Sequence, residues 1–225
     1  MVERRIEGNN MMLSTLETLP LRSLQSKKRA ALNRSDDPAL PAMTKDELEC
    51  FRRYLSKAKN YLEFGCGGST RLAAKAENID TIWSVESDAI WVENLKKEID
   101  ADRVTFQCPD LGPIGKWGIP TDREKRSEWP RYHSEIWELL DPSTLDLVLI
   151  DGRFRVACVM QTVLRVKADC TIMIHDFWNR PKYHHVLPFL NEKERVDSFG
   201  VFEPGEPKLV SDVQAALARF STDWR

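Results

Sequence analysis

"YLEFGCGGST", residues 61–70, sets three glycines (Gly65, Gly67, Gly68) into four positions directly behind an apolar run that carries a single acid, Glu63. Strand and helix interiors do not use glycine at that density. A strand-to-helix turn does, because it lets a group approach the backbone and offers it the free N–H groups of the first helical turn. The flanks agree. Residues 60–64, with Tyr61, Leu62 and Phe64, have the apolar and aromatic character of a short buried strand, and Ser69–Ala76 is a run with small residues suited to a helix.

Working outward, Thr44 followed by Glu47 is a capping-box pattern, and Leu48, Phe51 and Leu55 recur at helical spacing, which predicts a helix over 44–57. Strands are predicted at 79–86, 103–108, 145–151, 169–176 and 195–203, and helices at 88–99, 155–166, 183–190 and 211–220. This alternation implies an α/β fold: a Rossmann-like, doubly wound, mostly parallel sheet of six or seven strands with helices on both faces. In such sheets ligands lie beyond the carboxyl ends of the strands, at the point where strand order reverses. Glu63, Glu86, Asp110, Asp151 and the pair His175–Asp176 fall at or just after five successive predicted strand ends.

The 225 residues suffice for one substantial domain. Hydrophobic residues make up 42% and charged residues 30%, with a formal net charge of −2, so no global field favours nucleic acid or anionic membrane. The longest apolar runs are too short to span a bilayer. Five scattered cysteines without a CxxC pair suit a reducing compartment, and the expected location is cytoplasmic. Residues 1–43 are polar and basic and read as a loosely ordered or helical arm ahead of a domain over 44–225. Within that domain an insert over 109–144 breaks the rhythm. Trp117, Trp129, Tyr132 and Trp137 mark it as ordered, with a short helix at 132–140, and it is expected to cover the site.

The glycine spacing narrows the ligand. A dinucleotide fingerprint places glycine first, third and sixth, but the sixth position counted from Gly65 is Thr70. Glu63, two residues before Gly65, favours a ligand with an ammonium group over a pyrophosphate. Glu86, about twenty residues on, suits a ribose diol. "EFGCGGST" resembles the first motif of class I S-adenosylmethionine-dependent methyltransferases, and "SVESD" (84–88) resembles their second-strand acid motif. The resemblance covers about Thr44 to Glu203. It implies S-adenosylmethionine as cofactor, Glu63 at its methionine end, and Gly65, Gly67, Gly68, Ser69 and Thr70 as the turn beneath it. It further implies Glu86 on the ribose hydroxyls and Asp110 on the adenine amino group.

The reacting end falls to "IDGRFR" (150–155) and "IHDFWNR" (174–180). These resemble the small-molecule O-methyltransferase branch, which implies Asp151, His175 and Asp176 as catalytic candidates. In that branch two such carboxylates and an Asn can hold a divalent metal. Phe177 stands where that Asn is expected, so a metal is possible but not favoured, and a proton relay with His175 as base is the other option. No Asn/Asp-Pro-Pro-Tyr sequence follows the fourth strand, which disfavours a nucleic-acid acceptor. Arg153, Arg155 and Arg180 suggest an anionic small-molecule substrate. Two alternatives stay open: a non-catalytic S-adenosylmethionine-binding protein and a nicotinamide-dependent oxidoreductase.

Overall fold

Alternation along the strands builds two cores from one sheet in the computed structural model, which describes residues 37–205 and 210–225. The helices are α1 (Lys45–Leu55), α2 (Gly68–Lys75), α3 (Ala89–Lys96), α4 (Arg131–Ser134), α5 (Arg155–Val163) and α6 (Val210–Phe220). The strands are β1 (Asn60–Phe64), β2 (Thr81–Val85), β3 (Val104–Gln107), β4 (Ile114–Gly115), β5 (Ile119–Pro120), β6 (Leu147–Ile150), β7 (Thr171–Ile174), β8 (Leu190–Val196) and β9 (Phe199–Pro204). On β1, β6 and β7 the residues Leu62, Phe64, Val148, Ile150, Ile172 and Ile174 join α5 and α6 in one core. Their alternates Tyr61, Leu147, Leu149 and Met173 join α1 and α2 in the other.

Seven strands form the main sheet in the order β3-β2-β1-β6-β7-β9-β8. The first five in that order run parallel, while β9 is antiparallel to both its neighbours. Strand order reverses between β1 and β6, so the switch point lies where the glycine turn leaves β1. The predicted fold class therefore holds.

Three predicted elements need correcting, the first being the helix expected at 183–190, which is a 3-10 helix, Pro181–Phe189. The single closing strand expected at 195–203 is a hairpin, β8 and β9, turning at Asp197, whose φ is +48°. The charged run Asn191–Arg195 hid β8, because an edge strand bears charges where an inner one carries apolar residues. The short helix expected at 132–140 is α4 followed by a 3-10 turn, Glu135–Glu138.

α1 begins with the full capping box: Thr44 Oγ1 accepts from the Glu47 amide at 3.2 Å, and the Glu47 carboxylate accepts from the Thr44 amide at 2.8 Å. Residues 1–36 of the expected arm lie outside the described residues. Leu40–Met43 packs onto the domain: Met43 is fully buried, and Leu40 and Pro41 press their backbone against Gly68. Among the described residues no helix is long and apolar enough to cross a membrane.

The insert is ordered. β4 and β5 pair as a small antiparallel ribbon, and Leu111, Trp129, Tyr132 and Ile136 are buried in the α5-side core. Each such side chain removed from water contributes roughly 1.5–3 kcal/mol. The C-terminal residues clasp it from outside. His133 Nε2 lies 3.0 Å from the Ser221 carbonyl and Nδ1 lies 3.1 Å from the Gln161 amide nitrogen. Burial pushes His133 down to about 4, so the ring is neutral, donating through Nε2 and accepting at Nδ1.

Gly68 gives the sharpest test of this packing. It occupies the first turn of α2, where helix propensity alone would make alanine better by about 1 kcal/mol. A Cβ there would overlap the Leu40–Pro41 backbone. Gly68→Ala should therefore destabilise the domain by about 2 kcal/mol or more in urea unfolding. A neutral or stabilising result would remove the close approach.

Candidate active site

What approaches the glycine turn is, first of all, the protein itself. Gly65 has φ +96°, and a Cβ there would stand 2.6 Å from the Gly152 amide nitrogen at the end of β6. Gly68 is required by the Leu40–Pro41 backbone. Gly67 alone has room beside it, its nearest neighbour being the Trp91 ring at 3.8 Å from a Cβ position. The close approach of the β1 and β6 ends thus demands Gly65, and Gly67, whose amide donates to Thr70 Oγ1 at 2.8 Å, is left as the open face over which a ligand can pass.

Glu63 does not face that point. It is fully buried, with Oε2 accepting from Tyr61 Oη at 2.9 Å and Ser69 Oγ at 2.6 Å. Oε1 accepts from Ser84 Oγ at 2.8 Å and from Thr70 Oγ1. Burial pushes its pKa up while the four hydroxyls hold it back. A carboxylate offers about four acceptor positions, and all are taken. Glu63, with Ser69 and Thr70, therefore shapes the turn, and its carboxylate keeps no free acceptor position for the expected ammonium contact.

Glu86 matches its expected place at the end of β2. Oε1 accepts from the Ser87 amide at 2.6 Å, the Asp88 amide at 3.1 Å and Ser87 Oγ at 3.1 Å. Oε2 accepts only the Cys66 amide, at 3.3 Å, which leaves acceptor capacity next to Gly67. Asp110 is not brought to this group: its carboxylate is exposed, caps the Gly112 amide at 2.9 Å and faces Lys125 at 3.7 Å.

The insert crosses the carboxyl ends of these strands. Ser87 Oγ donates to the Gly118 carbonyl at 3.2 Å, and a Cβ on Gly118 would stand 3.3 Å from Glu86 Oε1. The Tyr132 hydroxyl fills the gap at the switch point so closely that Gly152 has no space for a Cβ. Trp117, at the tip of the insert, is 74% exposed.

Between β6 and β7 lies a chain of alternating charge. His175 Nδ1 is 3.0 Å from Asp151 Oδ1, and His175 Nε2 is 3.5 Å from Glu47 Oε2. Arg155 Nη2 is 2.9 Å from the same Asp151 oxygen. Ser198 locks the far end, its amide and hydroxyl donating to Glu47 Oε1 at 3.0 and 2.7 Å. Burial alone would lower the pKa of His175, but Asp151 and Glu47 outweigh it and raise it to about 10. Burial opposes ionisation of Glu47 as well, yet His175 draws its carboxyl down to about 2. His175 is therefore a buried imidazolium with a carboxylate at each nitrogen. With Asp151 on Nδ1 and Glu47 3.5 Å from Nε2, the ring is poorly placed to act as the expected base and suited to positioning Asp151.

Asp151 is the end of this chain that reaches the surface, its side chain 29% exposed. His175 and Arg155 overcome the effect of burial and keep it ionised. Asp176, at φ +54°, is committed to Arg180 and accepts from Asn179 Nδ2 at 3.2 Å. The two carboxylates that a divalent metal would need thus each face a guanidinium, and among the described residues no three ligands converge. The donor set does not fit a cation, and no step is derived through one. Glu47 and Tyr132 are the members of this site that sequence reasoning missed.

The strand order, with antiparallel β9 beside β7 and the glycine turn and Glu86 directly after β1 and β2, is the doubly wound arrangement that the methyltransferase resemblance implied. A solved methyltransferase-like protein from Silicibacter pomeroyi is 30% identical, with a TM-score of 0.74 over 82% of this chain and 99% of that one. The chain belongs to the class I S-adenosylmethionine-dependent methyltransferase family. Methyltransferase PaMTH1 of Podospora anserina, solved with S-adenosylhomocysteine bound, shares the fold at 14% identity and a TM-score of 0.52, over 87% of this chain and all of that one. No family model and no curated protein matches the sequence.

The charge chain has a pH signature. His175, raised from 6.5 to about 10, contributes stability that is complete below pH 6.5 and lost as pH rises through about 10. Glu47, lowered from 4.5 to about 2, contributes stability that is complete above pH 4.5 and lost as pH falls through about 2. Replacing His175 with Gln leaves Glu47 with hydrogen bonds only and Asp151 with Arg155 alone, and should cost about 3 kcal/mol near pH 6. That deficit should shrink steadily towards pH 10 in urea unfolding. A deficit independent of pH would contradict the assignment of a buried imidazolium.

Proposed function

We propose that this protein is an S-adenosylmethionine-dependent methyltransferase acting on a small-molecule acceptor at the carboxyl ends of β1 and β6. The observation that carries the reading is Glu86, a carboxylate clamped by three backbone N–H groups with acceptor capacity left beside the open face of Gly67. That pairing suits a ribose hydroxyl next to a chain passing over the turn. The cofactor, when bound, supplies a methyl group on a sulfonium that an aligned nucleophile can displace.

The protein's own residues would supply alignment rather than strong base catalysis. Asp151 is exposed enough to accept a hydrogen bond from an acceptor hydroxyl or amine and so to aim its lone pair. The depressed pKa makes Asp151 a weak base, so an acceptor with an acidic or already neutral nucleophile fits best. Tyr132 and the Gly118 turn keep water from the switch point and must yield to admit ligands. One observation favours the alternative of a non-catalytic cofactor-binding protein: His175 and Asp176 are both spent on ion pairs.

Calorimetry decides the cofactor. S-adenosylhomocysteine should bind and NAD should not, and Glu86→Ala should weaken binding by roughly 1.5–3 kcal/mol. Tighter binding of NAD would overturn the reading. Over a panel of small hydroxyl and amine acceptors, Asp151→Asn should lose most turnover while retaining the cofactor. Full turnover in that variant would remove Asp151 from the reacting end, and no turnover by the wild type would favour the non-catalytic alternative.

A further inference from the structure

Three arginines follow β6 and β7 near the switch point, and two of them are fully employed. Arg155 donates to the carbonyls of Gly152 at 2.9 Å, Asp151 at 2.6 Å and His175, besides its ion pair with Asp151. Arg180 is held by Asp176 and by Tyr183 Oη at 3.3 Å. Arg153 is different. Among the described residues its guanidinium makes no hydrogen bond and no ion pair, although the residue is half-buried and its Nε is sealed from solvent without a partner.

Such a group is anomalous, because a sheltered guanidinium normally finds an acceptor for its donors. The nearby carboxylates do not serve. Glu47, His175, Asp151 and Arg155 sum to zero charge, and so do Asp176 and Arg180. Glu86 lies across the Gly118 turn and forms no ion pair with Arg153. The Arg153 Cγ is 3.8 Å from where a Gly118 Cβ would sit, so this side chain lies beneath the insert at the same edge as Glu86. Burial and the neighbouring Arg155 lower its pKa and outweigh Asp151, which acts on it from a distance without forming an ion pair.

We propose that Arg153 is the anion-binding residue of this site and takes a carboxylate, either that of the cofactor's methionyl end or one carried by the acceptor. This rests on the reading of the site as one for S-adenosylmethionine. A planar guanidinium fork matches a carboxylate in two parallel hydrogen bonds, and partial burial strengthens each of them.

Arg153→Gln tests it. This variant loses no hydrogen bond or ion pair and keeps most of the side-chain stem, so its melting temperature without ligand should stay close to that of the wild type. Arg153→Lys, which keeps the charge without the fork, serves as the second variant and should retain part of each effect below. S-adenosylhomocysteine and 5′-methylthioadenosine, which lacks the amino-acid end, are compared by calorimetry. Benzoate and neutral benzamide are compared by the rise each gives in melting temperature. If the cofactor supplies the carboxylate, Arg153→Gln weakens S-adenosylhomocysteine at least tenfold and leaves 5′-methylthioadenosine unchanged. If the acceptor supplies it, S-adenosylhomocysteine is unaffected, and the larger shift given by benzoate is lost. An Arg153→Gln variant equal to the wild type in both comparisons overturns the proposal. A wild type that binds neither nucleoside refutes the cofactor reading instead, and the benzoate comparison then still judges Arg153 alone.

Discussion

The site depends on one buried carboxylate. Glu63 gathers hydroxyls from β1, from the first turn of α2 and from β2, so that three elements meet at a single charge with no access to water. Hydrogen bonds to a charged group contribute about 1.5–3 kcal/mol each, whereas an uncompensated buried carboxylate would be severely unfavourable. The turn therefore has little freedom to vary without releasing that charge. Its shape then fixes where the Gly67 backbone is open and how far Glu86 stands from it.

A second charge device holds the other side of the crevice. Glu47 belongs to the capping box of α1 and also binds Ser198 in the β8–β9 turn and faces His175 at the end of β7. Through the imidazolium it fixes Asp151, the one carboxylate of the chain that emerges at the switch point. Catalytic-looking residues thus divide by exposure: His175 and Glu47 are sealed and positional, while Asp151 can meet a ligand. The insert completes the enclosure with Tyr132 and Gly118, and the C-terminal residues hold it through His133 and Arg126, while Trp224 accepts from the Phe154 amide behind β6.

The sequence made the architecture readable because its signals were local. Apolar runs of four to five residues, each ended by a polar residue, marked β1, β2, β6 and β7, and helical spacing marked α1 and α5. The strand missed, β8, is an exposed edge whose Glu192–Arg195 run has no apolar alternation. Within the site, the place of Glu86 directly after β2 was legible from its distance behind the turn. The fate of Glu63 was not, since its acceptors were filled by hydroxyls from Tyr61 and Ser84 that no spacing rule connects. Glu47 was read correctly as a cap, but its second partner lies 151 residues away at Ser198. Gly65 and Gly68 looked like ligand glycines because sequence cannot separate a backbone that approaches from within from one that approaches from outside.

The central claim is that the open Gly67 backbone and Glu86 together hold the cofactor while Glu63 stays inside the protein. A crystal structure of the protein with S-adenosylhomocysteine tests it most directly. The account predicts ribose density against Glu86, the ligand running over Gly67, and all four hydroxyls still on Glu63. A ligand seated away from this turn, or a Glu63 carboxylate released from its hydroxyls to bind the ligand's ammonium group, would contradict it.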